Sequence, residues 1–304
     1  FRRLFGVGAR GARQRVNKRA VEALIKAGAF DGVHADRASL LASVGLAFEW
    51  ADTQDANALQ VGLFDFGDSH AASHQEPALV PAETWTLKER LILEKSALGH
   101  CLSGHLFDEH GQEVRRFCQR EIADLVDSRE PQLVAGIVSE LRVVNGQRGR
   151  QAIFRLDDGS ESIEVIAGEE LLEAHRDALR EDELVIAQGR AGPDRFTGGL
   201  RMNVHQIWDL AAARARFGRH LAVDVNGRMP PVAELIRTWP ARQVQTEAGP
   251  LPQGLPVRLH LRRPTASAAI DLGDEARFWP TDEALQRWSV VADGGRAEIV
   301  YESA

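Results

Sequence analysis

Cysteine is almost absent from this chain. Cys101 and Cys118 are the two cysteines among its 304 residues, and their spacing is not that of a CxxC pair. So few thiols argue against a disulfide framework and against a zinc ribbon. They suit a reducing compartment, and we therefore expect the protein to be cytoplasmic.

Long hydrophobic runs are also missing. No stretch approaches the roughly 18 consecutive apolar residues that cross a membrane, and no long apolar segment follows the basic N-terminus. We therefore expect neither a signal peptide nor a membrane partner. The chain begins at Phe1 instead of Met, so we expect a fragment or a processed product.

Sequence signatures of enzyme active sites are lacking as well. We find no Walker loop, no zincin motif and no Ser-x-Gly elbow. Residues 6–11 formally fit G-x-G-x-x-G, but no strand precedes them. Three histidines and Cys101 cluster between residues 100 and 110, yet five-residue spacing on a helix turns side chains to different faces. We expect no catalytic residue and no metal site.

The composition that is present is that of an ordinary globular protein. Charged residues make up 27% and apolar residues 44% of the sequence. The length predicts two or three domains. A net charge of −7 disfavours non-specific coating of DNA by the whole surface. Any contact with nucleic acid must therefore come from a local basic patch.

Changes in hydrophobic period divide the chain into segments. Period-two alternation begins at Gln132 and predicts strands in the order β-β-β-α-β-β, which is the order of an OB-fold, a five-stranded Greek-key barrel. We predict a multidomain α+β protein with an N-terminal helical region, this OB-fold barrel and a small C-terminal α+β domain. The predicted segments are a helical region (1–51), a linker (52–84), a second helical region (85–130), the barrel (131–212) and a C-terminal domain of βαββαβ type (213–304).

A short apolar motif stands inside the polar, acid-flanked linker, at residues 60–64, and we call it the hook. Its Leu63–Phe64 pair has no core nearby to join, so its exposure costs solvation unless a partner pocket accepts it. Gln60 offers an amide that donates and accepts hydrogen bonds, which would fix the register of the peptide. The motif alone fits a docking peptide and an anchor that folds back on its own domain equally well.

Arginines are separated from acids at two places in the predicted barrel, which is acidic as a whole. These places are the loop between strands 1 and 2 and the loop between strands 4 and 5, which rim the oligonucleotide-binding face of OB-folds. Arginines there would bind phosphates, and a phenylalanine would stack on a base. The alternative is that arginines in exposed hairpins are only solubilising. The candidate DNA-binding residues are Arg142, Arg148, Arg150, Arg195, Phe196 and Arg201.

Five blocks of the sequence resemble the C-terminal part of the alpha subunit of bacterial DNA polymerase III, a replicative C-family DNA polymerase. Their order and spacing match that family over roughly residues 16–304, and together they are specific. The blocks are Asn17–Asp31, the hook, Glu94–His105, Leu156–Gly159 and Phe196–Arg201.

The resemblance implies three partners in DNA replication. The hook looks like the internal sliding-clamp-binding motif, with Gln60, Leu63 and Phe64 as its anchors. The barrel looks like the domain placed near single-stranded template DNA. Residues 213–304 resemble the domain that binds the tau subunit of the clamp loader.

The resemblance also limits what this segment does. The family's polymerase aspartates and phosphoesterase domain would lie upstream, so we expect no polymerisation by this chain alone and no cofactor, because Mg²⁺ belongs to the polymerase site. Residues 1–15 do not follow the family, Leu106 stands where the family usually has Pro, and Gly62 is unusual in the hook. Two alternatives stay open: a stand-alone OB-fold adaptor for single-stranded nucleic acid, and a truncated polymerase product without function.

Overall fold

The computed structural model divides the chain into two compact units, Phe1–Glu109 and His110–Ala304. It describes residues 17–64, 76–146, 149–194, 198–226, 229–246, 249–263 and 265–301. The predicted multidomain α+β class is confirmed, because helices, a closed five-stranded barrel and a further sheet follow one another along the chain. None of the helices in these ranges is long and apolar enough to cross a membrane.

The first unit is helical in its described residues. Its helices are α1 Lys18–Lys26, α2 Arg37–Ala42, α3 Val44–Phe64 and α4 Leu87–Leu98, and a 3₁₀ turn follows at Leu106–Glu109. Asn17 caps α1, since its Oδ1 accepts a hydrogen bond from the Ala20 N–H at 2.7 Å. Gly28 follows the helix with φ +83°, a left-handed conformation that suits glycine. Ile25 and Leu40 belong to the apolar core that the first three helices share.

The helix α3 is longer than the sequence pattern indicates. The sequence pattern predicts that the helical region ends at residue 51, but α3 continues to Phe64. No glycine or proline stands between Gly45 and Gly62, and the alanine, glutamine and leucine residues there favour helix. Residues 52–64, which we assigned to the linker, are therefore helical.

A buried carboxylate fixes the loop that follows α4. The side chain of Glu94 is fully buried and accepts hydrogen bonds from the Leu102 N–H at 2.8 Å, the Ser103 N–H at 3.0 Å and the Ser103 hydroxyl at 2.6 Å. The Arg37 guanidinium donates to it at 2.8 Å and to Asp31 at 2.6 Å. Burial alone would raise the pKa of Glu94, but these donors lower it to about 2. The block Glu94–His105, which resembles the family, therefore has a structural role.

The barrel forms the first β-rich part of the second unit. A short helix, α5 (Gly111–Val114), precedes it. Its elements are β1 Gln132–Gly146, β2 Gly149–Asp157, β3 Ser162–Gly168, α6 Glu169–Ala174, β4 Leu184–Pro193 and β5 Leu200–Trp208. The strands close in the order β1-β2-β3-β5-β4, with β3 and β5 parallel, and Val134 and Phe154 are buried inside. The predicted OB-fold barrel is thereby confirmed.

The C-terminal part of the second unit is an α+β arrangement. Its elements are α7 Leu210–Phe217, β6 Gly218–Val225, α8 Val232–Thr238, β7 Arg242–Thr246, β8 Gly249–Gln253, β9 Val257–Arg263, β10 Ala266–Asp271, α9 Asp282–Val291 and β11 Ala297–Tyr301. The main sheet has the order β10-β9-β6-β11, and Phe278 and Trp288 are buried in its core. The sequence pattern does not predict the separate hairpin β7–β8, because Pro250 and Pro252 argue against a strand there.

One arginine joins the elements that flank the barrel to the C-terminal sheet. Arg214 on α7 is buried and donates two hydrogen bonds to the carboxylate of Glu113 on α5, at 2.8 and 2.7 Å. Its remaining nitrogen donates to the Pro280 carbonyl at 3.1 Å and pairs with Asp282 on α9 at 2.7 Å. The Tyr301 hydroxyl on β11 donates to Glu113 at 2.5 Å. We call these five residues the Arg214 cluster.

Aromatic rings adjoin the Arg214 cluster. Phe117 stacks on Phe217 with the ring centroids 5.2 Å apart, and it contacts Tyr301 at the same distance. Trp208, the last residue of β5, meets Phe217 edge-on at 5.4 Å. Because these apolar rings exclude water, they strengthen the neighbouring ionic contacts. The barrel and the C-terminal sheet thus share one apolar and ionic contact region.

Replacing Arg214 with methionine should destabilise the second unit. The change leaves the largely buried Glu113 carboxylate without its cation, and breaking a buried ion pair in this way costs about 3–5 kcal/mol. We expect this loss in the free energy of unfolding, measured by urea denaturation of the intact chain. Arg287→Met, at an exposed position of α9, is the matched control and should stay within about 0.5 kcal/mol of wild type. Equal stability of the two variants would contradict the structural role of the cluster.

Acid should weaken the same cluster. Burial tends to raise the pKa of Glu113, but the hydrogen bond and charge of Arg214 and the Tyr301 hydroxyl lower it below its ordinary value. A carboxylate with a lowered pKa in the folded state stabilises the fold above its unfolded-state pKa and loses that effect as the pH falls through its folded-state pKa. The difference in unfolding free energy between wild type and Glu113→Gln should therefore shrink below about pH 4.5. A difference that stays constant into the acid range would refute this.

Candidate nucleic-acid interface

One outer face of the barrel carries arginines around an apolar pair. Inward and outward residues alternate along β2 and β3, so that Ile153 and Ile166 lie on the outer side, opposite each other in the strand register. Arg155 and Glu164 form the next outward pair of the same two strands. Residues of β1 and β5 extend this side of the sheet. We call it the barrel face, and its members are Arg142, Ile153, Arg155, Glu164, Ile166, Arg201 and Asn203.

A carboxylate lies in the middle of the arginines. Glu164 accepts a hydrogen bond from Arg142 Nη2 at 3.0 Å, and its other oxygen lies 3.8 Å from Arg201 Nη1. Arg201 also pairs with the buried side chain of Asp194 at 3.1 Å. The sequence separation of arginines from acids therefore does not persist in the fold, because β3 brings its glutamate between the two arginines.

Arg150 is also paired, but at the surface. Its Nη1 lies 3.0 Å from an oxygen of Glu173 near the end of α6, and both side chains are about half exposed. Exposed pairs of this kind contribute about 0–1 kcal/mol, so a phosphate can replace the carboxylate at little cost. Arg150 thus lies beside the barrel face at the start of β2, with its guanidinium accessible.

Three predicted contact residues fall outside the described residues: Arg148, Arg195 and Phe196. The strands on either side of them are the predicted ones, since β1 pairs with β2 up to Gly146 and Gly149, and β4 pairs with β5 up to Pro193 and Leu200. Their roles stay predictions.

The turn between β2 and β3 is anchored from outside the barrel. The buried carboxylate of Asp158 accepts hydrogen bonds from Arg115 at 2.6 Å and from the Ile122 N–H at 3.0 Å. Burial tends to raise its pKa, but the Ser160 hydroxyl, Arg115 and backbone donors lower it below its ordinary value. Asp158 therefore stays charged at neutral pH and holds the two strands that carry the centre of the barrel face.

The two basic stretches of the sequence contribute further cations here. They are Arg155, whose guanidinium donates to the Ser162 hydroxyl at 2.5 Å, and Arg190 on β4, which is exposed and lies opposite Asn203 of β5. Ile153 and Ile166 supply an apolar surface between the cations. Sequence reasoning did not identify this apolar surface. The signal was present, because the alternation along β2 and β3 places both isoleucines among the outward-facing residues, where apolar side chains are unexpected.

The hook lies in the last turns of α3. The helical backbone runs through Gln60, Leu63 and Phe64, but their side chains lie outside the described residues. The docking role of these three anchors stays a prediction. In the described part of the chain, no group of three or more histidine, cysteine, aspartate or glutamate side chains could hold a metal ion.

The comparisons with known proteins agree with the barrel and with the resemblance. A family model described as an OB-fold nucleic acid binding domain matches residues 133–210. DNA polymerase III subunit alpha of Neisseria meningitidis serogroup A is 35% identical over 238 residues, which are 77% of this chain and 20% of that protein. The protein of the same name from Vibrio cholerae is 32% identical over 308 residues, and that from Escherichia coli K12 is 31% identical over 309 residues.

These relatives are much longer than this chain. The alignments with the Vibrio cholerae and Escherichia coli proteins cover 99% of this chain but 26% of each relative. The predicted resemblance to DNA polymerase III subunit alpha is confirmed over nearly the whole of the chain.

Proposed function

Because this chain is homologous over nearly all of its length to about a quarter of DNA polymerase III subunit alpha, we propose that it is a clamp-binding and template-binding segment of a replicative DNA polymerase. In this proposal the hook binds the sliding clamp, the barrel face binds single-stranded template DNA, and residues 213–304 dock on the tau subunit of the clamp loader. The observation that carries the proposal is the homology over nearly all of this chain, together with an OB-fold barrel whose outer face is rich in arginine.

The barrel face has the chemistry that single-stranded DNA requires. Arg142 and Arg201 offer guanidinium groups to phosphates, and Ile153 and Ile166 offer an apolar surface to unstacked bases. Phe196, in the connection between β4 and β5, would add base stacking worth about 1–3 kcal/mol. Cations in line with a stacking surface are the usual means by which OB-folds hold a strand without reading its sequence.

Glu164 sets the strength of this interaction. Its carboxylate pairs with Arg142 and Arg201 in the free protein, so a phosphate must displace it from both. Once displaced, it remains close to the incoming phosphate and repels it. We infer that the face binds a single strand moderately, with an affinity that falls as salt rises.

Replacing the arginines of the barrel face should weaken the binding of single-stranded DNA and make this binding less dependent on salt concentration. Each phosphate contact on single-stranded DNA contributes about −0.7 to the slope of log K against log salt. The double variant Arg142→Gln/Arg201→Gln should therefore flatten the slope by about 1.4 in a fluorescence anisotropy titration with oligothymidine. Arg237→Gln, an exposed arginine of α8, is the control with the same change of charge per residue.

Glu164→Gln should have the opposite effect, because it removes the competing carboxylate and keeps the side-chain shape. We expect tighter binding of oligothymidine than in wild type. An unchanged salt slope in the arginine variant, together with unchanged affinity in Glu164→Gln, would refute the barrel face as the binding surface.

The hook should account for binding to the sliding clamp. Leu63→Ala/Phe64→Ala removes both apolar anchors, and loss of central anchors costs about 2 kcal/mol or more at protein interfaces. We expect at least a tenfold loss of affinity of the intact chain for the clamp of the same organism, measured by surface plasmon resonance. Val290→Ala changes an exposed apolar residue of α9 and should leave the affinity unchanged. Equal affinities of wild type and the double variant, with single-strand binding intact, would favour a stand-alone OB-fold adaptor.

A further inference from the structure

A cavity of about 510 Å³ lies in the second unit, where the end of β5 and the end of α6 face the hairpin β7–β8. Its volume falls within the range of about 300–1,000 Å³ that is typical of ligand sites. The lining residues that matter for its chemistry are His175, His205, Trp208, Arg242, Gln253 and Trp279. Neither the homology nor the barrel face assigns a role to this cavity.

Two indole rings and one guanidinium give the cavity planar walls. The guanidinium carbon of Arg242 lies over the indole of Trp279, 4.0 Å from the ring centroid, in a cation–π contact. On the barrel side, Trp208 is held in place by its edge-on contact with Phe217. Planar groups of this kind suit a planar aromatic ligand.

Arg242 supplies the positive charge of the cavity. It makes no ion pair with any residue that the structure describes. Two carboxylates also line the cavity. Asp177 pairs with Arg180 at 2.6 Å, whereas Asp209 accepts a hydrogen bond from the neutral Ala212 N–H at 2.6 Å and acts on His175 with an uncompensated negative charge. The cavity therefore offers a positive charge at Arg242, beside Trp279, to the phosphate of an aromatic ligand, and a negative charge on the side of His175.

The two histidines add hydrogen-bonding groups. His175 ends α6 and is partly buried, and this burial lowers the pKa of its imidazole, so the ring is neutral at neutral pH. A neutral imidazole both donates and accepts, as the edge of a nucleobase does. His205 is exposed at the rim of the cavity.

The cavity continues the barrel face along β5. Arg201 and Asn203 are on the face, and His205 follows two residues later on the same strand. At this point the register between β4 and β5 shifts, because Gly189 pairs with Val204 and Gln188 pairs with Gln206. His205 is thus the extra residue of a β-bulge, a feature that redirects side chains at the rims of barrels.

We propose that the cavity binds one unpaired nucleotide of the single strand that crosses the barrel face, with the base stacked between Trp208 and the Arg242–Trp279 pair. This inference rests on the proposed single-strand binding of the barrel and adds a second site to it. The partner is the same strand, because the cavity and the face are continuous along β5.

The test is a length series on the intact chain. Fluorescence anisotropy is measured with oligothymidines from about 4 nucleotides to beyond about 16 nucleotides, the range of site sizes for OB-folds. For His205→Ala/Arg242→Gln we expect about tenfold weaker binding of the long oligonucleotides and unchanged binding of the shortest, which cover the barrel face alone. Both residues are exposed, so folding should be preserved, and circular dichroism checks this. Arg287→Gln is the control of matched charge and should bind every length as wild type does.

Photo-crosslinking supplies a second readout that does not depend on affinity. Each long oligonucleotide carries 5-iododeoxyuridine at a different position along the strand. We expect those labelled near one end of the strand to crosslink to peptides that contain Trp208 or Trp279. Wild-type affinity of the His205/Arg242 variant at every length, or crosslinks confined to the barrel face, would overturn the cavity site and leave the proposed function intact. Failure of the wild-type chain to bind any oligonucleotide would overturn both.

Discussion

The ion pair between Glu113 and Arg214 is the contact on which the architecture of the second unit depends. It fastens α7 to α5, and the same guanidinium binds the Pro280 carbonyl, so the chain just before α9 is fixed as well. Trp279 directly precedes Pro280 and forms the wall on which Arg242 stacks. The position of the cavity wall relative to β5 is therefore set by the buried guanidinium of Arg214. Under the proposed function, binding at the surface depends on this interior contact.

Under the proposed function, the barrel face lets a net acidic protein bind an acidic ligand. Its arginines are not free charges, because Glu164 and Asp194 hold them in place. Pairing of this kind orders long side chains before binding and lowers the entropy cost of a phosphate contact, while the same carboxylates limit the affinity. Under the proposed function, moderate and salt-dependent binding suits a protein that must release each nucleotide as the template moves. A negative net charge disfavours non-specific binding of DNA by the rest of the surface.

The sequence predicts the local elements well and the long-range contacts poorly. The strand order of the barrel follows from period-two alternation, which is a pattern among neighbouring residues. Glu113 and Arg214 are 101 positions apart, so nothing local marks them as partners, and the same holds for Arg142 and Glu164. The extension of α3 through the hook is a local feature that the sequence analysis predicts wrongly. The polar composition of residues 52–64 indicates a linker, but their helix propensity determines the structure.

Hydrogen–deuterium exchange of the intact chain, with and without a long oligothymidine, shows where a single strand lies on the protein. Under our proposals, one continuous surface holds the strand, from the outer side of β2, β3 and β5 to the β7–β8 hairpin. The predicted result is slower exchange in peptides that cover these strands and this hairpin, with unchanged exchange in α1 and α2. Protection that spares β2, β3 and β5, or that appears in α1 and α2 instead, would rule out this surface.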